Sequence, residues 1–465
     1  MTSNAGQARP RGAGRCPSEE TGGSGTGLLT DHYELTMLRA ALGSGVASRR
    51  AVFEMFARQL PGGRRYGVVA GTGRFLDALA DFRFSAEEID HLNGAGVIDE
   101  HTADFLASYR FSGSVWGYAE GDCYFPGSPI LVVDAAFADA VVLETLALSI
   151  FNHDCAVASA GSRMITAAGQ RPVIEMGSRR THELAAVAAA RAAYVAGFAS
   201  TSNLRAGFDY GVPTAGTSAH AFTLVHDDER QAFTAQVRTL GTGTTLLVDT
   251  YDVARAVRAA VELAGQNLGA VRIDSGDVAA VAKAVRAELD SLGATGTRII
   301  ATGDLDERSI ARLASAPVDG YGVGTALVTG SGEPTAALVY KLAARADGSG
   351  ELQAVAKNST GKPTIGGRKW AARRFDPSGI ASAEVVTTTP PGDRERAVPG
   401  QRTLLRRLVA EGEIVGREPL AAARERHRRV LAELPPAALR LAAGRPAIPT
   451  VMHAEGHERH DRTGR

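Results

Sequence analysis

The stretch GAVRIDSGDVAAVAKAVRAELDSL, residues 269–292, decides the fold. It opens on a short apolar run that holds one charge, Arg272, and ends at Asp274. It then turns through Ser275-Gly276-Asp277 and continues as an amphipathic helix. A short apolar strand followed at once by such a helix is half of a βαβ unit, with the strand covered on both faces. The same order appears upstream in TTLLVDTYDVARAVRAAVELA (244–264), where Asp249 ends the strand. It appears downstream in TRIIATGDLDERSIARLA (297–314), with Gly303-Asp304 in the turn, and in VDGYGVGTALVTG (318–330). RPVIEMGSRRTHELAAVAAARAAYVAGF (171–198) is an earlier copy. Five or more such units in under about 200 residues predict an α/β chain built on a (β/α) barrel, complete or cut short, rather than an open sheet.

Around this region the rhythm changes. Residues 28–135 mix a short helix (DHYELTMLRAAL), strand-like pieces (RAVFEMFAR, GSVWGYA) and Gly/Pro turns, which predicts a smaller α+β domain. The barrel-like domain is assigned to 136–335. Part of 336–440 reads as meandering strands that rejoin the first domain, and 441–465 as a flexible tail. Residues 1–27 have basic groups without an apolar core, so they read as a disordered extension and not a secretory signal. The most apolar segment, AAFADAVVLETLALSIF (135–151), is broken by Asp139 and Glu144 and reads as a buried helix.

With 465 residues, the chain has 51 basic and 51 acidic side chains. No global field is left to hold nucleic acid or an anionic membrane, so an anionic ligand must be met by local groups. Cys16, Cys123 and Cys155 are scattered and odd in number, which excludes a disulfide framework and fits a cytoplasmic protein.

In a parallel barrel, ligands meet the loops at the carboxyl ends of the strands. That rule selects Arg179 and Arg180, Thr217 and His220, Asp249 and Asp252, Arg272, Asp274 and Asp277, Gly303 and Asp304, and Gly322, Gly324 and Thr325. GYGVGT (320–325) can bring backbone N–H groups close to a phosphate, although alone it is also an ordinary tight turn. Asp277 and Ser275 have a plain explanation as helix N-caps. Arg272 has none: a charge inside a doubly covered strand must be paired or bind something. With Asp274 it makes a plausible clamp for a phosphorylated sugar, the carboxylate taking hydroxyls or Mg²⁺. His220 follows a run of small residues in GVPTAGTSAHAFTL (211–224). A lone histidine there is most often a packed side chain, but on this rim it can also be a base or a nucleophile toward phosphorus. P-loop, HExxH and GxSxG motifs are absent.

At this point the sequence resembles the nicotinate phosphoribosyltransferases. The likeness covers Leu28 to about Leu342 and rests on ordered blocks, among them LLTDHYELTM, FEMFARQLPGGRRYGVVAG, ETLALSIFNHD, GTSAHAF, LLVDTYD, RIDSGD, GYGVGT and VYKL. It implies a type II phosphoribosyltransferase barrel. It also implies transfer of the phosphoribosyl group from 5-phosphoribosyl 1-diphosphate to nicotinate, with ATP hydrolysis coupled through a phosphohistidine at His220. Tyr33 and Thr217 fall on positions that resemble nicotinate contacts. Arg272 matches a substrate-binding arginine, and Thr325 falls in the loop that resembles the phosphoribosyl cradle. From charge, Arg180 is expected to pair with the ring carboxylate. Asp274, Gly303, Gly322 and Gly324 are expected around the phosphates, Asp274 as a magnesium ligand, in a homodimer. Ser178, Ser218, Thr181 and His182 depart from the usual pattern and bear on the shape of the ring pocket.

Three other readings compete. Quinolinate phosphoribosyltransferase shares the architecture but needs more basic groups for a dicarboxylate. A nicotinamide enzyme needs no arginine for a ring carboxylate. A non-catalytic phosphohistidine or phosphosugar sensor on this barrel is disfavoured by Arg272, Asp274 and Thr325 occurring together, and loss of turnover in the pure protein would revive it. MHAEGHERH (452–460) also carries a zinc-like pattern in the tail.

Overall fold

The protein is described from a computed structural model that covers residues 25–357, 365–388 and 399–453. Most of the 1–27 extension and the His457/His460 part of the tail lie outside the described residues. The last three residues of the extension are docked rather than free, since Thr26 donates its amide to the Asp81 carbonyl at 3.0 Å.

Six parallel strands form the predicted sheet, in the order Ser200–Thr201, Val173–Glu175, Gly320–Val323, Arg298–Ala301, Ala270–Ile273 and Thr245–Leu247. Curled and flanked by helices, it is a half-barrel, so the cut-short form of the expected barrel is the one adopted. The two-residue strand Ser200–Thr201 gave no sequence signal. Aspartates start the following helices: the side chains of Asp228, Asp252, Asp277 and Asp306 each accept from the backbone amide three residues on. That contact satisfies an otherwise orphaned donor of the first turn. It also sorts the rim carboxylates, with Asp252 and Asp277 committed to capping while Asp249 and Asp274 remain at strand ends.

The second layer is a seven-stranded antiparallel sheet that gathers distant segments. Its central strand Arg50–Ala57 pairs with Leu338–Ala346 on one side and Leu131–Ala136 on the other. Ser114–Tyr118 and Leu405–Ala410 extend it, so residues beyond 335 do rejoin the amino-terminal part. A four-stranded sheet, Gln401–Thr403, Trp370–Phe375, Ala381–Thr387 and Thr450–His453, completes it. The last strand corrects the expectation of a flexible tail from 441: Thr450–His453 pairs in parallel with Glu384–Thr387.

Helix Glu144–Ala168 ties the two layers together. Its first half, with Ile150, Phe151 and Cys155, packs in the core under the antiparallel sheet. Its second half, with Val157, Ala158 and Met164, packs in the half-barrel core. The segment is apolar enough to cross a membrane by composition, but most of it is buried inside this chain.

His427 supplies a pH-sensitive strut between the layers. It is 1 % exposed, with Nδ1 3.1 Å from the Gly121 carbonyl oxygen and Nε2 2.9 Å from Ser162 Oγ. Burial pushes its pKa down to about 4 from 6.5. A folded-state pKa below the unfolded value means the neutral ring stabilises fully above pH 6.5, and that contribution fades as pH falls toward 4. Relative to His427→Gln, the wild type is expected to lose about 2–3 kcal/mol of unfolding free energy between pH 7.5 and 4.5. Urea titrations of both proteins check this, and parallel pH dependences would refute it.

Candidate active site

The loops after the parallel strands enclose two adjoining clefts. The larger, about 500 Å³, is lined by Met176, Ser178, Arg179, Ser202, Leu204, Thr214–Ala219 and Arg272. The smaller, about 140 Å³, is lined by Met176, Arg179, Arg180, Arg272, Asp274, Thr302, Gly303, Asp304, Gly322, Gly324 and Thr325. Met176, Arg179 and Arg272 belong to both, so the clefts form one continuous site. The larger has apolar walls rimmed by hydroxyls, suited to a small ring. The smaller combines three arginines with glycine turns, suited to phosphate.

Close approach explains the glycines. A Cβ at Gly303 would stand 2.4 Å from the Asp274 carbonyl oxygen, and one at Gly322 would meet Thr302 Cγ2 at 2.6 Å and Met176 Sδ at 2.7 Å. Gly303 has φ of +97° and Asp304, unusually for a non-glycine, +47°. Backbone held in that region at a cleft is stored strain of the kind found at binding turns.

Arg272 is 8 % exposed, and most of its donors are engaged within the chain. Nη1 donates to Thr217 Oγ1 and, at 3.1 Å, to the Ser218 carbonyl oxygen. Nε donates to Thr302 Oγ1 at 3.2 Å, and Nη2 lies 3.4 Å from Asp274 Oδ2. The buried strand arginine is paired, as a charge inside a doubly covered strand must be, and it lines both clefts.

His220 is the first residue of a short helix, His220–Leu224, at the edge of this site. Its side chain is 39 % exposed, with Nδ1 3.2 Å from Thr250 Oγ1 and Nε2 3.9 Å from Asp249 Oδ1. Asp249 Oδ2 is held by the Asp274 amide at 2.8 Å and the Ser275 hydroxyl at 2.7 Å. Its Oδ1 is buried and has no hydrogen-bond partner among the described residues, and it faces the imidazole. The arrangement is an exposed imidazole backed by a fixed carboxylate, which can stabilise positive charge on the ring.

Two expected residues sit elsewhere. Arg180, expected at the ring carboxylate, lines only the smaller cleft, because the turn Ser178–Arg180 points it past the strand end. Arg179 beside it lines both clefts, and the sequence offered no means of choosing between them. Tyr33 lines neither cleft of its own chain. It lies on helix His32–Ser44, 44 % exposed, beside Glu144. Burial and the nearby carboxylates push its phenol pKa up. Thr302 and Asp249 join the site: the first carried no sequence signal, and the second stood among the rim candidates. Among the described residues no group of three or more His, Cys, Asp or Glu side chains forms a metal cage.

Comparison with known proteins bears on this geometry. The family model for the nicotinate phosphoribosyltransferase N-terminal domain matches residues 28–152, and that for the nicotinate phosphoribosyltransferase family matches 172–368. A nicotinate phosphoribosyltransferase of Mycobacterium tuberculosis is 56% identical over 449 residues, covering 95% of this chain and 98% of the relative. One from Bacillus subtilis is 36% identical over 362 residues, covering 76% of this chain and 74% of the relative. The crystal structure of human nicotinic acid phosphoribosyltransferase superposes with a TM-score of 0.76 at 26% identity, covering 91% of this chain and 97% of that one.

Proposed function

This chain belongs to the nicotinate phosphoribosyltransferase family, whose activity joins nicotinate to the phosphoribosyl group of 5-phosphoribosyl 1-diphosphate, and we propose that it couples this transfer to ATP hydrolysis through His220. The observation that carries the proposal is the exposed His220 imidazole, placed on the same rim as the two clefts and backed by the unpartnered Asp249 Oδ1.

The transfer needs no base. The pyridine nitrogen has no proton to lose; it attacks C1 of the donor as the C1–O bond to diphosphate breaks, through a transition state with oxocarbenium character. Catalysis is then positioning and charge handling. Arg272, Arg180 and the backbone around Gly303, Gly322, Gly324 and Thr325 hold the phosphates. Thr217 and Arg179 receive the ring and its carboxylate. Asp274, with Asp249 behind it, offers hard oxygen ligands to Mg²⁺, an ion that often takes only one or two carboxylates and completes its shell with substrate phosphates and water. Bound there, the ion would neutralise charge on the departing diphosphate.

His220 is left for another task. A ring nitrogen attacks the γ-phosphorus of ATP, the bond to ADP breaks, and water later cleaves the phosphohistidine to inorganic phosphate. The Asp249 carboxylate holds the imidazole in orientation and offsets its charge. Measured ADP and nicotinate mononucleotide release should rise together in the wild type. Unchanged product yield with and without ATP would sink the coupling.

We further infer a homodimer in the cytoplasm, in which Tyr33 stacks on the nicotinate ring of the partner subunit. The support is that this half-exposed phenol lies outside its own chain's clefts. Mixing Tyr33→Ala and His220→Ala proteins should restore up to about a quarter of the ATP-stimulated activity that each lacks alone, because random exchange builds one intact site in half of the dimers. No recovery after subunit exchange would overturn the shared site.

A further inference from the structure

We propose that Thr302 is a positioning residue for the transfer reaction: its hydroxyl, bonded to both, holds Arg272 and Asp274 in a loose ion pair aimed at the phosphoribosyl donor. The proposal rests on the assignment of Arg272 and Asp274 to that donor.

Thr302 follows the strand Arg298–Ala301, and its amide donates to the Ile273 carbonyl at 2.8 Å, which fixes its backbone beside the Arg272–Asp274 segment. The side chain is 3 % exposed. A hydroxyl has one proton and two lone pairs, and here the proton and one lone pair are engaged. Oγ1 accepts from Arg272 Nε at 3.2 Å and donates to Asp274 Oδ1 at 2.5 Å, with the Ile273 carbonyl at 3.1 Å as a second acceptor. The methyl group sits where a side chain at Gly322 would be, so the neighbouring strand holds the rotamer.

The geometry that results is an arginine and an aspartate in the same small cleft that form a loose ion pair, Nη2 to Oδ2 at 3.4 Å, rather than a tight hydrogen-bonded one. Both protons of Arg272 Nη1 are already committed to Thr217 and Ser218, so Nη2 is the donor left for a ligand, with the Asp274 carboxylate beside it as a competitor. Without the hydroxyl, Nε becomes a buried donor with no acceptor, and Asp274 loses the contact that turns it from the guanidinium. The two charges then close on each other, and donor phosphate must break that pair to bind.

Steady-state kinetics with thermal melts on Thr302→Val, Thr302→Ser and Arg272→Gln test this. KM is the useful readout, because a loss of folded protein lowers Vmax and leaves KM unchanged. T302V is expected to raise KM for 5-phosphoribosyl 1-diphosphate about tenfold, equivalent to about 1.4 kcal/mol. T302S, which keeps the hydroxyl, should stay within about twofold of wild type on the same scale. Should T302V accumulate poorly, Thr302→Ala carries the same expectation. If R272Q raises KM but T302V does not, or if T302S is as impaired as T302V, the positioning role is overturned. If R272Q itself leaves KM unchanged, the donor assignment falls and Thr302 falls with it.

Discussion

His220→Ala is expected to abolish ATP stimulation and ATP-dependent ADP release while leaving a slow, ATP-independent transfer. The two halves of that result have separate physical origins. The transfer step uses no group on the histidine, so Arg179, Arg180, Arg272, Asp274 and the glycine turns keep their work. The phosphate relay has His220 as its nucleophile, because the other rim candidates lack a nucleophilic nitrogen with a free lone pair. Removing a covalent nucleophile typically costs a factor on the order of 10⁴ or more in its own step. ADP release should therefore fall to background. Label from γ-³²P-ATP should be retained on the acid-labile, base-stable fraction of the wild type and be missing from the variant.

The loss in coupled yield measures how much ATP energy reaches the transfer equilibrium, at about 1.4 kcal/mol per tenfold change. Asp249→Asn separates orientation from charge at the same place. Its amide can still accept from the Asp274 N–H and the Ser275 hydroxyl. It no longer offsets a positive imidazole, so slower phosphorylation with unchanged KM for nicotinate is the expected signature. A variant H220A that still hydrolyses ATP in step with product would end the phosphohistidine reading altogether.

The sequence was informative where chemistry and topology coincide. A strand running into a helix sets its last residue on one rim, so Asp249, Arg272, Asp274, Gly303 and the 320–325 turn could be gathered before any coordinates. Arg272 stood out because burial forbids an idle charge. Asp277 could be read as a cap in advance, but position alone did not separate Asp252 from Asp249 and Asp274. Asp252 and Asp277 are spent on helix amides, whereas Asp249 reaches across to the next strand. Nor could it rank Arg179 above Arg180, since adjacent residues in a tight turn diverge by geometry that only the fold sets. Thr302 was invisible for a different reason. Threonine is common in strands, and its role arises from the segments beside it in space. The docking of Thr450–His453 onto the Ala381–Thr387 strand was equally hidden, because nothing in a four-residue strand announces a partner more than 60 residues away in sequence.

The charge cluster that ties the four-stranded sheet to the Asp122-Cys123 segment is where a single change should do most damage to stability. Arg373 is completely buried, with Nη1 3.0 Å from Asp122 Oδ1 and Nη2 donating to Glu384 Oε1 at 2.5 Å and to the Cys123 carbonyl at 2.6 Å. Asp122 and Glu384 are themselves buried, and Asp122 has a second partner in Arg402 at 2.6 Å. Burial pushes the Glu384 carboxyl up, whereas Asp122, flanked by two guanidinium groups, is held below its ordinary range. Glu384 thus relies on Arg373 for its balancing charge, with only hydroxyl support from Tyr118 at 3.3 Å and from Ser128. Arg373→Met fills the volume but strands that carboxylate, and breaking a buried pair from one side costs about 3–5 kcal/mol. The expected measurement is a large fall in urea midpoint at pH 7.5. Acid should narrow the gap between variant and wild type, because protonating Glu384 removes the stranded charge. Adding Glu384→Gln to R373M should recover part of the loss for the same reason, since the amide keeps hydrogen-bonding capacity without the charge. If the double variant is no more stable than R373M, the damage comes from lost packing between the sheets, and the electrostatic account of this junction is wrong.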